Sequence, residues 1–190
     1  MRKLILVRHS QPVIDPEVDS REWRLSIEGR RRCARLAEIL REHDPAAIVT
    51  STEPKALETG AIVARRLKIP LESAENLHEH DRRGAPFATP EGSFVDLIAN
   101  LFRRPGELVF GNETADQAYE RFAAAVDGLL ERRAEGNLAV VSHGTVMALF
   151  VARRAGVEPV SFWRELGTPA AAVLALPEFE LLRVVNHAGG

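Results

Sequence analysis

Short apolar runs alternate with amphipathic segments along most of the chain. Residues 3–7, Lys-Leu-Ile-Leu-Val, are typical of a buried strand. The later patterns predict strands at 46–50, 69–74, 138–142, 171–176 and 180–185, and helices at 26–43, 51–68, 93–103, 115–134 and 145–155, with a short helix or turn at 159–166. This alternation predicts an α/β fold, a three-layer sandwich in which a mostly parallel central sheet carries helices on both faces.

Polar residues and prolines mark the boundaries of these elements. Ser26 stands where a helix N-cap is expected, and Pro54 falls in the first turn of the second helix. Residues 76–92 are charged and irregular, with two glycines and two prolines. We expect residues 76–112 to form a lid or insertion over the strand ends, within a single domain that spans residues 1–190.

Composition narrows the classes of function. The formal net charge is −2, which does not favour nucleic acid or an acidic membrane as a partner. No apolar run approaches the ~20 residues that span a bilayer, and the first run is too short for a signal peptide. Cys33 is the only cysteine, so no intramolecular disulfide can form. These features predict a cytoplasmic protein, and they leave its oligomeric state open.

Two strand ends carry the candidate chemistry. The first run ends in Arg8-His9, and the strand at 138–142 ends in Ser142-His143-Gly144. The carboxyl ends of parallel strands are where open α/β sheets bind ligands. Arginine suits phosphate oxygens, a neutral histidine can attack phosphorus, and a glycine that opens a helix lets the backbone approach an anion. The pattern predicts a phosphate site.

Five segments, taken in order, resemble the histidine phosphatase superfamily, also called the phosphoglycerate mutase-like group. They cover nearly the whole chain. The segments are Arg8-His9 after the first strand, Leu25 to Ala34, Ser51 to Gly60 after the second strand, Leu77-His78-Glu79 after the third, and Ser142-His143-Gly144 after the fourth. The resemblance implies a phosphoglycerate mutase-like fold.

The resemblance also implies roles for particular residues. His9 is similar to the family's nucleophile, Glu79 to its general acid and base, and His143 to its second histidine. Arg8, Lys55 and Gly144 fall where the family binds phosphate. These roles imply a phosphohydrolase that cleaves a small phosphate ester through a phosphohistidine on His9, with neither a cofactor nor a metal ion.

The sequence departs from the family pattern at a few positions. Lys55 stands where the family has arginine, although lysine is rare among the 25 basic residues of this chain. Lysine keeps the charge and loses the bidentate fork. Either Lys55 faces a different substrate or a neighbouring arginine fills the role, and the candidate arginines are Arg24, Arg82 and Arg83. Ser10 replaces the usual glycine after His9.

Several alternatives remain open at this stage. The same family includes phosphoglycerate mutase-type phosphoryl transfer and protein phosphatases. The cluster His78-Glu79-His80-Asp81, together with His9 and His143, suggests a metal-dependent hydrolase. The lysine at position 55 also makes a non-catalytic phosphate binder an alternative. The sequence does not identify the substrate.

Overall fold

The computed structural model describes residues 1–83 and 91–186, with only the backbone of 91–93. The strands are β1 (Lys3–Arg8), β2 (Pro45–Thr50), β3 (Leu71–Ser73), β4 (Asn137–Ser142), β5 (Ala170–Ala175) and β6 (Glu180–Asn186). The helices are α1 (Ile27–Arg41), α2 (Pro54–Leu67), α3 (Glu91–Arg103), α4 (Ala115–Arg132), α5 (Gly144–Ala155) and α6 (Pro159–Glu165), and a 3₁₀ turn covers Ser20–Glu22. The predicted fold class is confirmed. Residues 84–90 of the predicted lid lie outside the described residues.

The six strands form one sheet in the order β3-β2-β4-β1-β5-β6. The pairs β2–β3, β2–β4 and β1–β4 are parallel, while β5 runs antiparallel to β1 and to β6. Arg8 pairs with Ser142, and Thr50 pairs with Val141. The carboxyl ends of β1, β2 and β4 therefore meet at one edge of the sheet.

The third strand is shorter than the predicted range 69–74. Leu71–Ser73 pair only with the end of β2, and all three residues are exposed at the sheet edge. Ile69 and Pro70 belong to neither element: α2 ends at Leu67, Lys68 adopts a left-handed conformation with φ of 58°, and the Ile69 N–H donates to the Ala64 carbonyl at 3.2 Å. An edge strand has one partner, so its length follows how far it reaches that partner rather than its apolar pattern.

The core lies on both faces of the sheet. Leu4 and Leu6 of β1 pack on one side with α3 to α6, and Ile5 and Val7 pack on the other with α1 and α2. This division follows from the alternation of side chains along a strand. In the part of the chain that the structure describes, no helix is long and apolar enough to cross a membrane.

Three helices begin close to the carboxyl edge of the sheet. Ser26 caps α1, since its hydroxyl accepts a hydrogen bond from the Gly29 N–H at 2.9 Å. Pro54 opens α2, and α5 begins only one residue after β4. The free N–H groups at a helix N-terminus favour negative charge, so the fold directs an anion-binding environment toward this edge.

Candidate active site

The two predicted histidines meet at the carboxyl edge. The His9 N–H donates to the Ser142 carbonyl at 2.9 Å, which continues the pairing of β1 with β4. The His9 and His143 rings lie 5.2 Å apart between centroids, with an interplanar angle of 60°. Both residues are buried. Parallel pairing of their strands therefore brings together two residues that are far apart in the sequence.

The geometry fixes which nitrogen of His9 is available. Nδ1 lies 2.8 Å from the Ser10 carbonyl, which can only accept, so we assign the proton to Nδ1. Burial, and then the nearby His143, Lys55 and Arg8, hold the pKa of His9 well below its usual range. The ring is therefore uncharged at neutral pH, and Nε2 keeps its lone pair.

Ser10 anchors the loop that carries His9. Its N–H donates to Thr59 Oγ1 at 3.0 Å, and its hydroxyl donates to the Gly29 carbonyl at 2.7 Å. The Thr59 hydroxyl in turn donates to the Lys55 carbonyl at 2.7 Å. A Cβ atom at Gly29 would lie 2.0 Å from the Gln11 carbonyl oxygen. The loop is therefore held against both α1 and α2, and it is the close approach of α1 that requires a glycine.

His143 is held by one ring nitrogen. Its Nε2 lies 2.9 Å from the Ser51 hydroxyl and 3.5 Å from Glu53 Oε1. Its Nδ1 is buried without a hydrogen-bond partner among the described residues. Burial and the Lys55 charge lower the pKa of His143 well below its usual range, although Glu79 acts in the opposite direction. The ring is therefore uncharged near neutral pH.

Glu79 lies at the N-terminus of α5 and is partly buried. Its carboxylate accepts three backbone hydrogen bonds, from the N–H groups of His80 at 2.9 Å, Thr145 at 3.1 Å and Val146 at 3.2 Å. Burial raises the pKa of Glu79, but His143, Arg82 and the backbone donors outweigh it, so the net shift is downward. Glu79 is therefore an ionised carboxylate beside the histidine pair.

Lys55 reaches the site with its ammonium already engaged. Its Nζ donates to the Glu53 carboxylate and, at 2.6 Å, to the Ser20 carbonyl. Lys55 and Glu53 are both buried. An ammonium has three donors, so one N–H of Lys55 remains without a partner among the described residues. Its charge acts on both His9 and His143.

Arg8 and Gly144 are packed against each other. Arg8 Nη1 donates to the Leu166 carbonyl at 2.5 Å, and its Nε is buried without a partner in the described parts of the chain. A Cβ atom at Gly144 would lie 3.1 Å from both Cζ and Nε of Arg8. The guanidinium therefore lies against the first residue of α5, with a free donor at the anion-binding edge.

Arg82 is the candidate arginine whose charge acts on His143. Its charge contributes to the pKa values of Arg8, Glu79 and His143. Its guanidinium lies 5.2 Å from the centroid of the Phe94 ring on α3. This cation–π contact holds the side chain near the two histidines.

A cavity of about 300 Å³ adjoins the cluster and shares Glu53 with it. Most of the side chains that form its walls are polar or charged. They are formed by Arg21, Glu22, Thr52, Glu53, Pro54, His78, Asp81 and Arg83. Arg83 is ion-paired with Asp81, so its charge is largely compensated. Arg24 lies outside this lining and pairs with Glu58 at 3.3 Å.

The residues of the metal alternative do not all come together. The His80 ring is buried against Phe110, at 4.8 Å between centroids, and its Nε2 bonds to the Glu113 carbonyl at 2.8 Å. His78 instead lines the cavity. Across residues 1–83 and 91–186, no three His, Cys, Asp or Glu side chains come together in a way that could hold a metal ion.

Sequence reasoning missed Glu53, whose carboxylate binds the Lys55 ammonium and lies 3.5 Å from Nε2 of His143. It also gave Ser51 no role beyond its place in a motif. The available signal was weak: the short connection between β2 and α2, at the carboxyl edge, consists of three polar residues. Only the packing of α2 against β4 turns that connection toward His143.

Strand order, helix placement and the position of the site together define a phosphoglycerate mutase-like α/β protein. The chain belongs to the histidine phosphatase superfamily (branch 1), whose family model matches residues 4–180. No curated protein sequence gives a significant match.

Solved structures share this fold at low sequence identity. A phosphoserine phosphatase from Entamoeba histolytica, in complex with 3-phosphoglyceric acid, aligns with a TM-score of 0.77 and 18% identity over 99% of this chain and 98% of that one. A mycobacterial glucosyl-3-phosphoglycerate phosphatase with inorganic phosphate gives 0.76 and 18% over 100% and 98%. Bacillus stearothermophilus YhfR gives 0.74 and 21% over 100% and 98%.

Proposed function

We propose that the protein is a phosphatase that cleaves small phosphate esters through a phosphohistidine on His9. The observation that carries the proposal is the state of His9, an uncharged imidazole with a free Nε2 beside a second histidine. Membership of the histidine phosphatase superfamily supports it. Three cationic side chains, Arg8, Lys55 and Arg82, surround the pair and suit a phosphoryl group.

The first step transfers the phosphoryl group to the enzyme. Nε2 of His9 attacks phosphorus, the P–N bond forms and the P–O bond to the leaving group breaks. Arg8 and the Gly144 N–H at the start of α5 hold the phosphoryl oxygens, since the next two N–H groups of α5 donate to Glu79. The absence of a side chain at Gly144 lets the backbone approach them. His143 lies on the other side of the reacting group, where it stabilises the charge of the equatorial oxygens.

Glu79 supplies the proton that the leaving oxygen needs. Its lowered pKa makes it a carboxylate in the free protein, so the proton must arrive with the substrate. A phosphate monoester loses its second proton with a pKa of ~6, and its monoanion carries the required proton into the site. The negative charge of the bound phosphoryl group then favours transfer of that proton to Glu79.

The second step releases inorganic phosphate. Glu79, ionised again after the first step, takes a proton from a water molecule as that water attacks phosphorus. The P–N bond breaks, and the electron pair returns to Nε2 of His9. The same carboxylate thus acts as acid and then as base, which is worth about 10²–10⁴-fold in rate for a positioned group.

The adjoining cavity supports a small, polar leaving group. Its volume of about 300 Å³ suits a compact molecule, and among the described residues its walls carry no Phe, Tyr or Trp side chain. Hydroxyl and carboxylate groups match such walls better than a nucleobase or an aryl ring would. Two structural relatives are named as phosphatases of glucosyl-3-phosphoglycerate and of phosphoserine, which are polar phosphate esters.

A screen of phosphorylated metabolites with wild type, His9→Asn and His43→Asn tests the proposal. His43 is a matched control because its carbonyl bonds to Asn137 at the start of β4, at the opposite edge of the sheet. Wild type and His43→Asn should release phosphate and form an acid-labile phosphoenzyme. His9→Asn should lose at least ~10³-fold in turnover and all phosphoenzyme.

Four results would overturn the proposal. Turnover that survives in His9→Asn would exclude His9 as the nucleophile. Binding of phosphate esters without turnover by wild type would indicate a phosphate-binding protein. Conversion of one phosphoglycerate isomer into another, faster than phosphate release, would indicate a mutase, and turnover of phosphopeptides alone would indicate a protein phosphatase.

A further inference from the structure

Glu53 lies where three parts of the site meet. Its side chain is only 6% exposed. Oε1 accepts the Glu79 N–H at 3.0 Å and lies 3.5 Å from His143 Nε2, while Oε2 accepts from Lys55 Nζ. A buried carboxylate that is bound by a backbone N–H and by charged or ionisable side chains restrains every group that it contacts. Glu53 therefore links α2 to the loop after β3 and to the end of β4.

The contacts of His143 favour a particular arrangement of its protons. Nε2 faces the Ser51 hydroxyl and the Glu53 carboxylate, and a carboxylate can only accept. A proton on Nε2 satisfies this arrangement, and the buried Nδ1 then carries a lone pair with no partner in the described residues. Protonation of Nδ1 would give an imidazolium whose new N–H can donate to a phosphoryl oxygen.

We propose that Glu53 and Lys55 form a buried positioning pair that sets the charge of His143. Glu53 holds the Nε2–H and favours the imidazolium. Lys55 binds the same carboxylate, compensates its charge and limits that effect. The proposal rests on the proposed function in one respect, namely that His143 contacts the phosphoryl group.

Other charged groups face His143 as well. Glu79, Arg82 and His78 approach it from the segment after β3, and His9 approaches it from the end of β1. Glu79 favours the charged ring, and Arg82 and His78 disfavour it. These groups form a fixed background. Glu53 differs because its carboxylate contacts the ring nitrogen and is itself bound by a cation.

The pair also explains what a lysine does at position 55. A single Nζ bonds both to Glu53 and to the Ser20 carbonyl, so it ties the 3₁₀ turn between β1 and α1 to the start of α2. The ammonium is a compact charge that can serve two acceptors in different directions, whereas a planar guanidinium donates within one plane. Lys55 thus acts through Glu53 as well as through its own charge.

The test follows the titration of His143 by NMR of the labelled imidazole, in the presence and absence of inorganic phosphate. The resonance is assigned by its loss in His143→Gln. Glu53→Gln removes the carboxylate and leaves Lys55 uncompensated, so the titration should move to lower pH by about 1 pH unit or more. Lys55→Met leaves the Glu53 carboxylate without its compensating cation, so the titration of His143 should move to higher pH by a similar amount.

The two variants should therefore shift His143 in opposite directions, and the double variant should return it toward the wild-type value. Phosphate binding near pH 7 should weaken about tenfold or more in Glu53→Gln, because the imidazolium forms less readily. Glu53→Asp and Lys55→Arg keep both charges, so their titrations should stay closer to wild type than those of the neutral variants, even though a guanidinium would lose one of the two bonds of Lys55.

Shifts in the same direction, or none, would show that the pair only supports the structure. Charge-conserving variants that shift His143 as much as the neutral ones would lead to the same conclusion, and they cover the case in which a neutral variant fails to fold. The titration requires no turnover. A wild-type protein without phosphatase activity would therefore contradict the proposed function while leaving this test intact.

Discussion

Gly144 and Arg8 approach so closely that a Cβ atom at position 144 would lie 3.1 Å from Cζ of the arginine. They meet because Arg8 pairs with Ser142 in the sheet, which leaves only His143 between β4 and α5. The guanidinium can therefore lie flat against the first turn of a helix. In the proposed function this contact places a fixed cation and a helix N-terminus on the same phosphoryl oxygens.

Gly144→Ala should weaken phosphate binding. The added methyl group would displace the Arg8 guanidinium and approach Trp163 Nε1, which lies 3.4 Å from the Cβ position. We expect about a 10–100-fold loss in kcat/KM, because even small misplacement of a phosphate ligand is costly. The measurement is steady-state kinetics together with the affinity for inorganic phosphate.

Gly128→Ala in α4 is the matched control. Its added Cβ would meet only Arg132 Nη1, the end of a flexible side chain, at 3.3 Å. Activity should be unchanged. Equal phosphate affinity in Gly144→Ala and wild type would contradict the assigned role of the contact.

Gly29→Ala should destabilise the protein. Its Cβ would lie 2.0 Å from the Gln11 carbonyl oxygen, and backbone cannot move aside as a side-chain end does. Either α1 or the loop after β1 must shift, which would strain the bond from the Ser10 hydroxyl to the Gly29 carbonyl. We expect a loss of about 1–3 kcal/mol in the free energy of unfolding, as for overpacked cores.

Denaturant unfolding measures this loss, with Gly128→Ala again as the reference. A Gly29→Ala protein as stable as wild type would show that the loop and α1 are not as tightly packed as the structure indicates.

The pH dependence follows from the lowered pKa values. His9 has a lowered pKa and stays uncharged through neutral pH, while Glu79 has a lowered pKa and stays ionised. Neither group titrates between pH ~6 and 8, so over that range the needed proton comes from the substrate monoanion. kcat/KM should therefore be highest at mildly acidic pH and should fall about tenfold per pH unit above ~6.

Initial rates from pH 5 to pH 8 at low substrate concentration check this expectation. A profile that stays flat to pH 8 would mean that Glu79 is already protonated in the free enzyme, against the direction of its shift. Glu79→Gln, with exposed Glu75→Gln as the control, should lose most of its activity toward esters with poor leaving groups.

Arg82 and Arg83 should differ sharply although they are neighbours in sequence. The charge of Arg82 acts on Arg8, Glu79 and His143, whereas Arg83 is exposed and paired with Asp81. Arg82→Ala should lower kcat/KM about tenfold or more, and Arg83→Ala should change it by less than about threefold, since exposed ion pairs contribute little. Comparable losses in both variants would indicate that Arg83 contacts the substrate directly.

Much of the fold could be predicted because the relevant signals are local. Alternating apolar runs predicted the strands and helices in their correct order. The cap at Ser26 and the proline in the first turn of α2 are confirmed by the structure. The predicted third strand was too long, because the length of an edge strand depends on how many of its residues pair with its single neighbour.

The element order, the family, and the placement of His9 and His143 at strand ends could all be read from local patterns, because a strand ends where an apolar run gives way to polar residues. The three-dimensional arrangement was needed to show that Glu53 and Lys55 are a buried pair and that the charge of Arg82, not that of Arg24, acts on His143. It also decided that Glu79 is ionised. Those properties depend on burial and on distances between segments far apart in the chain, which no local pattern contains.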